Sequence, residues 1–458
     1  MRSEITHSST RRNLMLSSLL TCALTLGVIG IGIPTKAEEV EIVPPAPTSL
    51  GILNPIEQSG KIDATTVLKI VTEKLADPRL GAGVTGYVID ANSNQVLIDI
   101  NSDQQMIPAS TLKLYTAIAA LDVLGGDAKF ATKVMRDQTQ LTLVGGGDPT
   151  LVSVTPKDWK GKPPGTAAPP SIEQLAQLTM TELGTTNEAF TVAFDDSLFA
   201  GPQAQETWPA MYLSTGEVAP AQGLTMDYGV TQSNGVLPDP AKAAAQVFVD
   251  ELTASGLQVT LTDRAPPSAG ASELTRIESA TITNIVERMI TTSNNTLAEY
   301  LAHHIGGTQG DYSYIGGARV TTQTLIAAGI DPTNLEIVDG SGLSRENRSN
   351  AKNLVSAMQY ANTSSGRSWA ALSGLPVAGI SGTLVDRYDV AEPGRGSVRA
   401  KTGTLSKVVS LTGTLVTASG DILIFSFIAN DVPNGTKQGE AAMDDVIKAL
   451  VQCGCRVA

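Results

Sequence analysis

The fold of this chain is decided at residues 108–113, P-A-S-T-L-K, where a serine and a lysine stand three positions apart at the start of a helix. The run that follows, 114–121, is largely apolar, which predicts that the helix is buried. Ser110 would lie at the helix N-terminus, with Lys113 one turn along the same face. A serine hydroxyl reacts only when a base takes its proton, and a lysine can do this only when neutral. The positive helix end and a second nearby cation would lower the pKa of Lys113.

Two further short motifs follow along the chain. Residues 293–295, S-N-N, lie between two segments with helical patterns, 282–292 and 296–305. Residues 401–404, K-T-G-T, open the last pair of predicted strands, where the glycine would let a substrate backbone approach a strand edge. Each motif alone has a plain structural explanation, an N-cap or a turn. The order S-x-x-K, S-x-N and K-T-G, each in a fitting helix, loop or strand, predicts that the three build one site.

Strand-like segments stand near both ends of the chain. Segments 84–91 and 95–100 predict a hairpin at the front, and 408–417 and 422–429 predict another near the end. We therefore expect one sheet that is assembled from both chain ends, with a domain inserted between them.

The middle of the chain has the pattern expected of that inserted domain. Residues 133–144 alternate like one strand, Ser171 starts a helix with a capping box, and a second helix runs from Asp239 to near Gly256. We place the inserted domain at 131–275.

The composition excludes several classes of protein. The chain has 458 residues, of which 42% are hydrophobic, so it is long enough for two domains with large cores. Its formal net charge of −13 predicts no nucleic-acid partner, because nothing would neutralise the phosphates. Three cysteines and three histidines are too few for a zinc cluster or an iron–sulfur centre. We therefore predict no metal and no cofactor, and chemistry based on Ser, Lys, Asp or Glu.

The N-terminal segment 1–37 has the pattern of an export signal. Two arginines precede a largely apolar run over 14–33, and residues 35–37, T-K-A, offer small side chains at a cleavage site. The run is also about long enough to span a bilayer, so a retained membrane anchor is the alternative. Segment 38–60 is acidic and then proline-rich, as in a linker. We expect an exported protein that acts outside the cytoplasm.

Two cysteines stand near the C-terminus, Cys453 and Cys455, with one glycine between them. Outside the cell they could form a small disulfide. An inert, unpaired tail is the expectation that we favour.

Together, the three motifs resemble those of the penicillin-recognising serine D,D-peptidases. The chain is most similar to the class C low-molecular-mass penicillin-binding proteins, the D-alanyl-D-alanine carboxypeptidase/endopeptidases of the penicillin-binding protein 4 type. Four further segments extend this resemblance from about residue 60 to residue 450. They are L-V-G-G-G-D-P-T-L at 143–151, D-D-S-L-F-A-G at 195–201, D-G-S-G-L-S-R-E-N at 339–347 and L-P-V-A-G-I-S-G-T at 375–383.

The resemblance implies an α+β fold. Its main part would be a penicillin-binding transpeptidase/β-lactamase-like domain, an antiparallel sheet flanked by helices, formed by 61–130 and 276–458. This D,D-peptidase domain would carry the inserted α/β domain at 131–275. The stretch between Ser110 and Ser293 is short for such proteins, so we expect the inserted domain to be shortened.

The resemblance also implies roles for the first two motifs. Ser110 would attack the carbonyl between two D-alanines while Lys113 takes its proton. Ser293 would relay the proton to the leaving amine, and Asn295 would hold the acyl amide.

In the third motif, Lys401 and Thr402 would bind the terminal carboxylate of the substrate, beside Gly403. The backbone N–H groups of Ser110 and Thr404 would form the oxyanion hole, worth roughly 3 to 4 kcal/mol per donor. The substrates would be peptidoglycan stem peptides, cut in the cell wall or periplasm through an acyl-serine, with D-alanine cross-links also cleaved. β-Lactam antibiotics would be covalent inhibitors.

Two alternatives share these motifs. A class A β-lactamase needs a glutamate between the second and third motifs, but neither Glu336 nor Glu346 stands in an E-x-x-L-N arrangement. A β-lactam-sensing or wall-binding module would have lost turnover, and intact Ser110, Lys113 and Lys401 argue against that. We therefore favour the peptidase.

Overall fold

The computed structural model describes residues 60–156, 168–231, 235–363 and 367–457, and within these ranges the chain forms twelve strands and eleven α-helices. The strands are β1 (Lys61–Ile62), β2 (Gly83–Asp90), β3 (Val96–Ile100), β4 (Ala131–Asp137), β5 (Gln140–Val144), β6 (Ala189–Asp195), β7 (Gln258–Arg264), β8 (Ser272–Glu278), β9 (Val398–Leu405), β10 (Val408–Val416), β11 (Ile422–Asn430) and β12 (Arg456–Val457). The helices are α1 (Ala64–Leu75), α2 (Lys113–Val123), α3 (Ile172–Leu183), α4 (Met211–Ser214), α5 (Pro240–Ala254), α6 (Ile282–Thr292), α7 (Asn295–Gly307), α8 (Tyr314–Ala327), α9 (Ala351–Thr363), α10 (Ala370–Ser373) and α11 (Thr436–Gln452).

A five-stranded antiparallel sheet joins the two ends of the chain. Its strand order is β3-β2-β11-β10-β9, so the front hairpin pairs with the hairpin near the C-terminus through β2 and β11. The prediction of one sheet built from both chain ends is therefore confirmed. β9, which carries the K-T-G-T motif, is the last strand of this sheet.

Apolar side chains pack on both faces of this first sheet. On one face, Ile424 and Ile428 of β11 pack with α2, α6, α7 and α9. On the other face, Phe425 and Phe427 pack with α1 and α11. Successive side chains of a strand point to opposite faces, so β11 contributes to both cores and is mostly apolar, with Ser426 as a buried polar residue.

Helix α2 lies wholly inside the first of these cores. All nine residues from Lys113 to Leu121 are buried, which agrees with the apolar run in the sequence. The lysine at its start is thus held in a region from which water is excluded.

A second five-stranded sheet has the order β7-β6-β5-β4-β8. β5, β6 and β7 are parallel, and α3 and α5 pack beside them. The predicted single strand over 133–144 is wrong, because β4 and β5 form a hairpin through Gln138, which has a φ of 51°. Alternation continues through such a tight turn, so periodicity alone does not reveal it.

Residues 57–458 form one compact unit. Strand β8 runs across residue 275, where we expected the inserted domain to end, and pairs with β4. The division into two domains thus stays a prediction.

The C-terminal tail is attached to the body of the protein. β12 pairs with β1, and Arg456 forms an ion pair with Asp421. Cys453 and Cys455 are joined in a disulfide, with their Cα atoms 5.1 Å apart. The expectation of an inert, unpaired tail is therefore wrong, since the tail pairs with β1 and its two cysteines are bonded to each other.

The predicted signal peptide or anchor over 1–37 lies outside the described residues, as does the linker over 38–60 apart from its last residue. Among the residues that the structure describes, no helix combines the length and the apolar character needed to cross a bilayer.

Candidate active site

Ser110 lies in a short 3₁₀ turn, Ala109–Leu112, that leads directly into α2. Ala109 has a φ of 49°, and a Cβ on Gly342 would lie 2.0 Å from the Ala109 carbonyl oxygen. The glycine therefore lets the 339–344 loop pass close against the serine turn. Ser110 itself faces a cavity of about 600 Å³.

The side chain of Lys113 is completely buried behind Ser110. Its Nζ donates to Ser110 Oγ at 2.9 Å, to Asn295 Oδ1 at 2.7 Å and to the Ser341 carbonyl at 2.6 Å. These three bonds use every donor that an ammonium group has. Asn295 Oδ1 and the Ser341 carbonyl, which come from other parts of the chain, therefore orient this amine towards the serine hydroxyl.

Burial lowers the pKa of Lys113 to about 7, while the charges of Glu299 and Asp339 act in the opposite direction. The lowered pKa agrees with the prediction, but its main cause differs. We expected a helix end and a second cation, whereas removal from water dominates, because an ammonium loses most of its hydration there. A large neutral fraction is thus available near neutral pH.

Ser293 ends α6 in the left-handed conformation, with a φ of 56°. The sharp turn that this creates separates α6 from α7 and presents the serine hydroxyl to the cavity. The Nζ of Lys401 donates to Ser293 Oγ at 2.8 Å and to the Thr402 carbonyl at 2.8 Å. The second and third motifs are therefore in direct contact.

Lys401 is, like Lys113, completely buried. Burial lowers its pKa well below the ordinary value, and the charge of Lys113 adds to this effect. An anionic group that entered the cavity would reverse the shift, since an opposite charge favours the ammonium form.

Asn295 is the first residue of α7, and both ends of its amide group are bonded. Oδ1 accepts from Lys113, and Nδ2 donates to the Glu217 carbonyl at 2.8 Å. Asn295 thus connects the base to the segment 211–217, which forms another wall of the cavity.

The threonines of the third motif have partners outside β9. Thr402 and Thr383 share a hydrogen bond at 2.8 Å between their hydroxyl oxygens, and Thr404 Oγ1 donates to Glu440 at 2.7 Å. Thr402 and Thr404 both line the cavity. This part of β9 therefore forms one side of the site.

Gly403 allows β9 to approach the serine turn. A Cβ at this position would lie 2.1 Å from Ser410 Oγ, 2.8 Å from the Pro108 carbonyl oxygen and 3.2 Å from the Ser110 nitrogen. We expected the glycine to make room for a substrate backbone. The space is taken by the protein's own chain instead, so the residue sets the distance between the first and third motifs.

The structure thus brings the eight predicted site residues together. Five line one cavity, the two lysines lie directly behind it, and Gly403 lies between strand β9 and the serine turn. Several neighbours were not assigned a role from the sequence. The additional cavity residues and buried groups are Tyr212, Glu217, Glu299, Asp339, Ser341, Leu343, Thr383, Arg387 and Glu440. Glu299 could have been found, since it stands one helical turn after Asn295.

The sequence pattern of the D-Ala-D-Ala carboxypeptidase 3 (S13) family matches residues 67–237 and 236–452. The chain belongs to this family. It is a serine-type D-Ala-D-Ala carboxypeptidase, as the motifs predicted.

Curated relatives of this S13 peptidase extend over most of its length. A carboxypeptidase of Mycobacterium tuberculosis is 32% identical over 428 residues, which cover 90% of each chain. The D-alanyl-D-alanine carboxypeptidase of an Actinomadura species is 28% identical over 476 residues and 88% of each chain.

Among solved structures, penicillin binding protein 4 of Haemophilus influenzae superposes with a TM-score of 0.69 at 20% identity, over 85% of this chain and all of that one. That protein has also been solved in complex with a β-lactam. The predicted α+β fold of the penicillin-binding type is therefore confirmed.

Proposed function

We propose that Ser110 is the nucleophile of this S13 peptidase and that Lys113 is its base. The contact that supports this most directly is the 2.9 Å hydrogen bond between Lys113 Nζ and Ser110 Oγ, made by an amine whose burial favours the neutral form. As the serine oxygen bonds to the substrate carbonyl carbon, its proton passes to Lys113. A base within hydrogen-bonding distance and with a pKa near the working pH suits this step.

The second step is the release of the terminal D-alanine. When the carbon–nitrogen bond breaks, the leaving amine needs a proton. Ser293, whose hydroxyl is bonded to Lys401 and lines the same cavity, would give its proton to the amine and take up the one that Lys113 received from Ser110. Asn295 would hold the acyl amide. Water then hydrolyses the acyl-serine and restores both groups.

Lys401 and Thr402 would bind the terminal carboxylate of the substrate. Burial lowers the pKa of this amine, and a carboxylate that arrives beside it would favour the ammonium form. The N–H groups of Ser110 and Thr404 would stabilise the oxyanion, and Gly403 keeps these two residues close.

We further propose peptidoglycan stem peptides as substrates, with cleavage of D-alanine cross-links as a second activity. The cavity supports this, since it has a volume of about 600 Å³ and extends between β9, α11 and segment 211–217, which offers space for a leaving peptide. The N-terminal pattern supports an exported enzyme, acting in the cell wall or periplasm, with a cleaved signal or a membrane anchor.

The test is to label the protein lacking residues 1–37 with a fluorescent penicillin and to incubate it with muropeptides. We expect one adduct per chain, at Ser110, together with released D-alanine and cleaved dimers. Ser110→Ala should abolish both signals. Ser406→Ala is the matched control, because Ser406 lines the same cavity and we assign its hydroxyl no role.

Three outcomes would contradict parts of the proposal. A label at another residue would remove Ser110 as the nucleophile. An adduct that hydrolyses within seconds, with no D-alanine released, would indicate a β-lactamase. A stable adduct without any release would indicate a β-lactam sensor.

A further inference from the structure

Glu299 is a completely buried carboxylate that has no place in the mechanism so far. It stands on α7, one turn after Asn295, and therefore on the same side of the helix. Its Oε1 accepts the N–H of Ser341 at 2.8 Å, and its Oε2 accepts the N–H of Gly340 at 3.0 Å. Burial, the largest influence, and the charge of Asp339 raise the pKa of Glu299 to about 8, whereas the two backbone donors, one on each oxygen, and the charge of Lys113 favour its ionised form.

The two residues that Glu299 holds are in contact with α2. The Ser341 carbonyl accepts the bond from Lys113 Nζ, and the Gly340 carbonyl accepts from Thr116 Oγ1 at 2.6 Å. A Cβ on Gly340 would lie 2.6 Å from the Ala298 carbonyl oxygen, so this glycine allows the loop to lie against α7. The carboxylate therefore holds the backbone of Ser341, whose carbonyl orients the base.

We propose that Glu299 is the positioning residue for Lys113: it holds the Ser341 carbonyl against Nζ and supplies the buried negative charge that stabilises the ammonium formed when Lys113 takes the Ser110 proton. This inference rests on the proposed roles of Ser110 and Lys113. It differs from them in that Glu299 touches neither the substrate nor the reacting atoms.

The charges around this pair favour the assignment. The carboxylate of Glu299 raises the pKa of Lys113, in opposition to burial. The other titratable groups that interact with Lys113 or Glu299 are Asp339 in the 339–344 loop, Lys401 on β9, Tyr314 on α8 and His303 on α7.

These four groups do not replace Glu299. Burial lowers the pKa of His303 to about 4 and raises that of Tyr314, so both are neutral near pH 7. Lys401 is positive or neutral and cannot balance an ammonium. Asp339 is engaged by Trp208 Nε1 at 2.8 Å and by backbone N–H groups of its own loop.

The decisive experiment is Glu299→Gln, which removes the charge and keeps the size. The rate of acylation by penicillin is measured from about pH 5 to pH 9. Without the carboxylate the ammonium form of Lys113 is less stable, so the pKa of the base falls. We expect the acidic limb of the profile to move to lower pH by about one unit, and the plateau rate to fall roughly tenfold because the base is weaker.

Asp148→Asn is the matched control. Asp148 is a buried carboxylate that accepts a backbone N–H, from Thr150 at 2.7 Å, and it follows β5 in the second sheet. We expect this variant to lose stability while its acidic limb coincides with that of the unchanged protein.

A Glu299→Gln protein that is slower but has an unshifted acidic limb would show a purely structural role and overturn the inference. Should that variant not fold, Glu299→Asp decides. The aspartate keeps the charge, but its shorter side chain reaches the N–H groups of residues 340 and 341 less well. The plateau acylation rate of this variant should therefore fall, while the acidic limb of its pH profile stays in place. A shifted limb would contradict the inference. Penicillin bound elsewhere than at Ser110 in the unchanged protein would instead overturn the proposed function.

Discussion

Lys401 donates a hydrogen bond to Ser293 at 2.8 Å, although the two residues are 108 positions apart in the sequence. This bond joins the end strand of the first sheet to the turn between α6 and α7. The Nζ of Lys401 is buried and lies next to the cavity. An anion that binds in the cavity would either compete with Ser293 for this amine or accept a further hydrogen bond from it. The bond therefore links the residue that we propose for carboxylate recognition to the residue that we propose for the proton relay.

The first prediction concerns Lys401→Ala. We expect the variant to lose activity on substrates with a free terminal carboxylate far more than on substrates capped as an amide, by about 2 to 5 kcal/mol, because one partner of a buried charge pair is removed. The comparison of kcat/KM for the two substrates checks this. Lys407→Ala, an exposed lysine in the β9–β10 turn, is the control. Equal losses on both substrates would place Lys401 elsewhere in the mechanism.

The second prediction separates the hydroxyl of Ser293 from its backbone. Because Ser293 has a φ of 56°, glycine suits the position and alanine does not. Ser293→Gly and Ser293→Ala should lose acylation to the same degree, but the alanine variant should unfold more easily, by about 1 kcal/mol. Urea unfolding and penicillin labelling measure the two effects. Wild-type labelling rates in either variant would exclude a role for the hydroxyl.

The third prediction is that Gly403→Ala separates the first and third motifs. The new methyl group would overlap Ser410 Oγ and press on the Pro108 carbonyl, so β9 must move away from the serine turn. We expect a loss of stability of about 1 to 3 kcal/mol and a large fall in the acylation rate. A fully active Gly403→Ala protein would show that the spacing at this point is not critical.

The fourth prediction is the pH dependence of the unchanged enzyme. Lys113 acts as a base only when neutral, and its pKa is lowered to about 7 by burial. Below that pH the amine is protonated, so acylation should fall about tenfold per pH unit towards acid and level off above pH 7. Stopped-flow labelling with penicillin measures this limb. A limb that begins near pH 10 would mean that the lysine keeps its ordinary pKa.

Much of this architecture could be predicted from short patterns. The strands of the first sheet and the helix after Ser110 have strong periodicity, and the three motifs define their own local contexts. Periodicity failed at Gln138, where a tight turn interrupts an alternating run without changing it. The pairing of β12 with β1 joins residues almost 400 positions apart, a contact that local patterns do not contain, whereas the disulfide joins two cysteines whose spacing had left it open.

The site was predictable in its motifs and not in its surroundings. Glu299 looks like an ordinary helix residue in the sequence, and only its bonds to residues 340 and 341 show that it acts on the base. The low pKa of Lys113 was expected for the wrong main reason, since burial depends on how four helices and a loop close around it. Such properties depend on tertiary packing, which short sequence patterns do not describe.

The order of strands in the first sheet also determines when the enzyme can become active. All three motifs have been synthesised once residue 404 is made, but within the first sheet β9 is connected to β2 only through β10 and β11, which end at residue 430. The strands of the second sheet, by contrast, are all complete by residue 278. A chain that stops before β10 therefore carries every group assigned to the reaction but lacks the strands that hold β9 in the sheet, and we expect it to be inactive. We therefore expect the hydrolase to become active only after most of the last quarter of its chain has been synthesised.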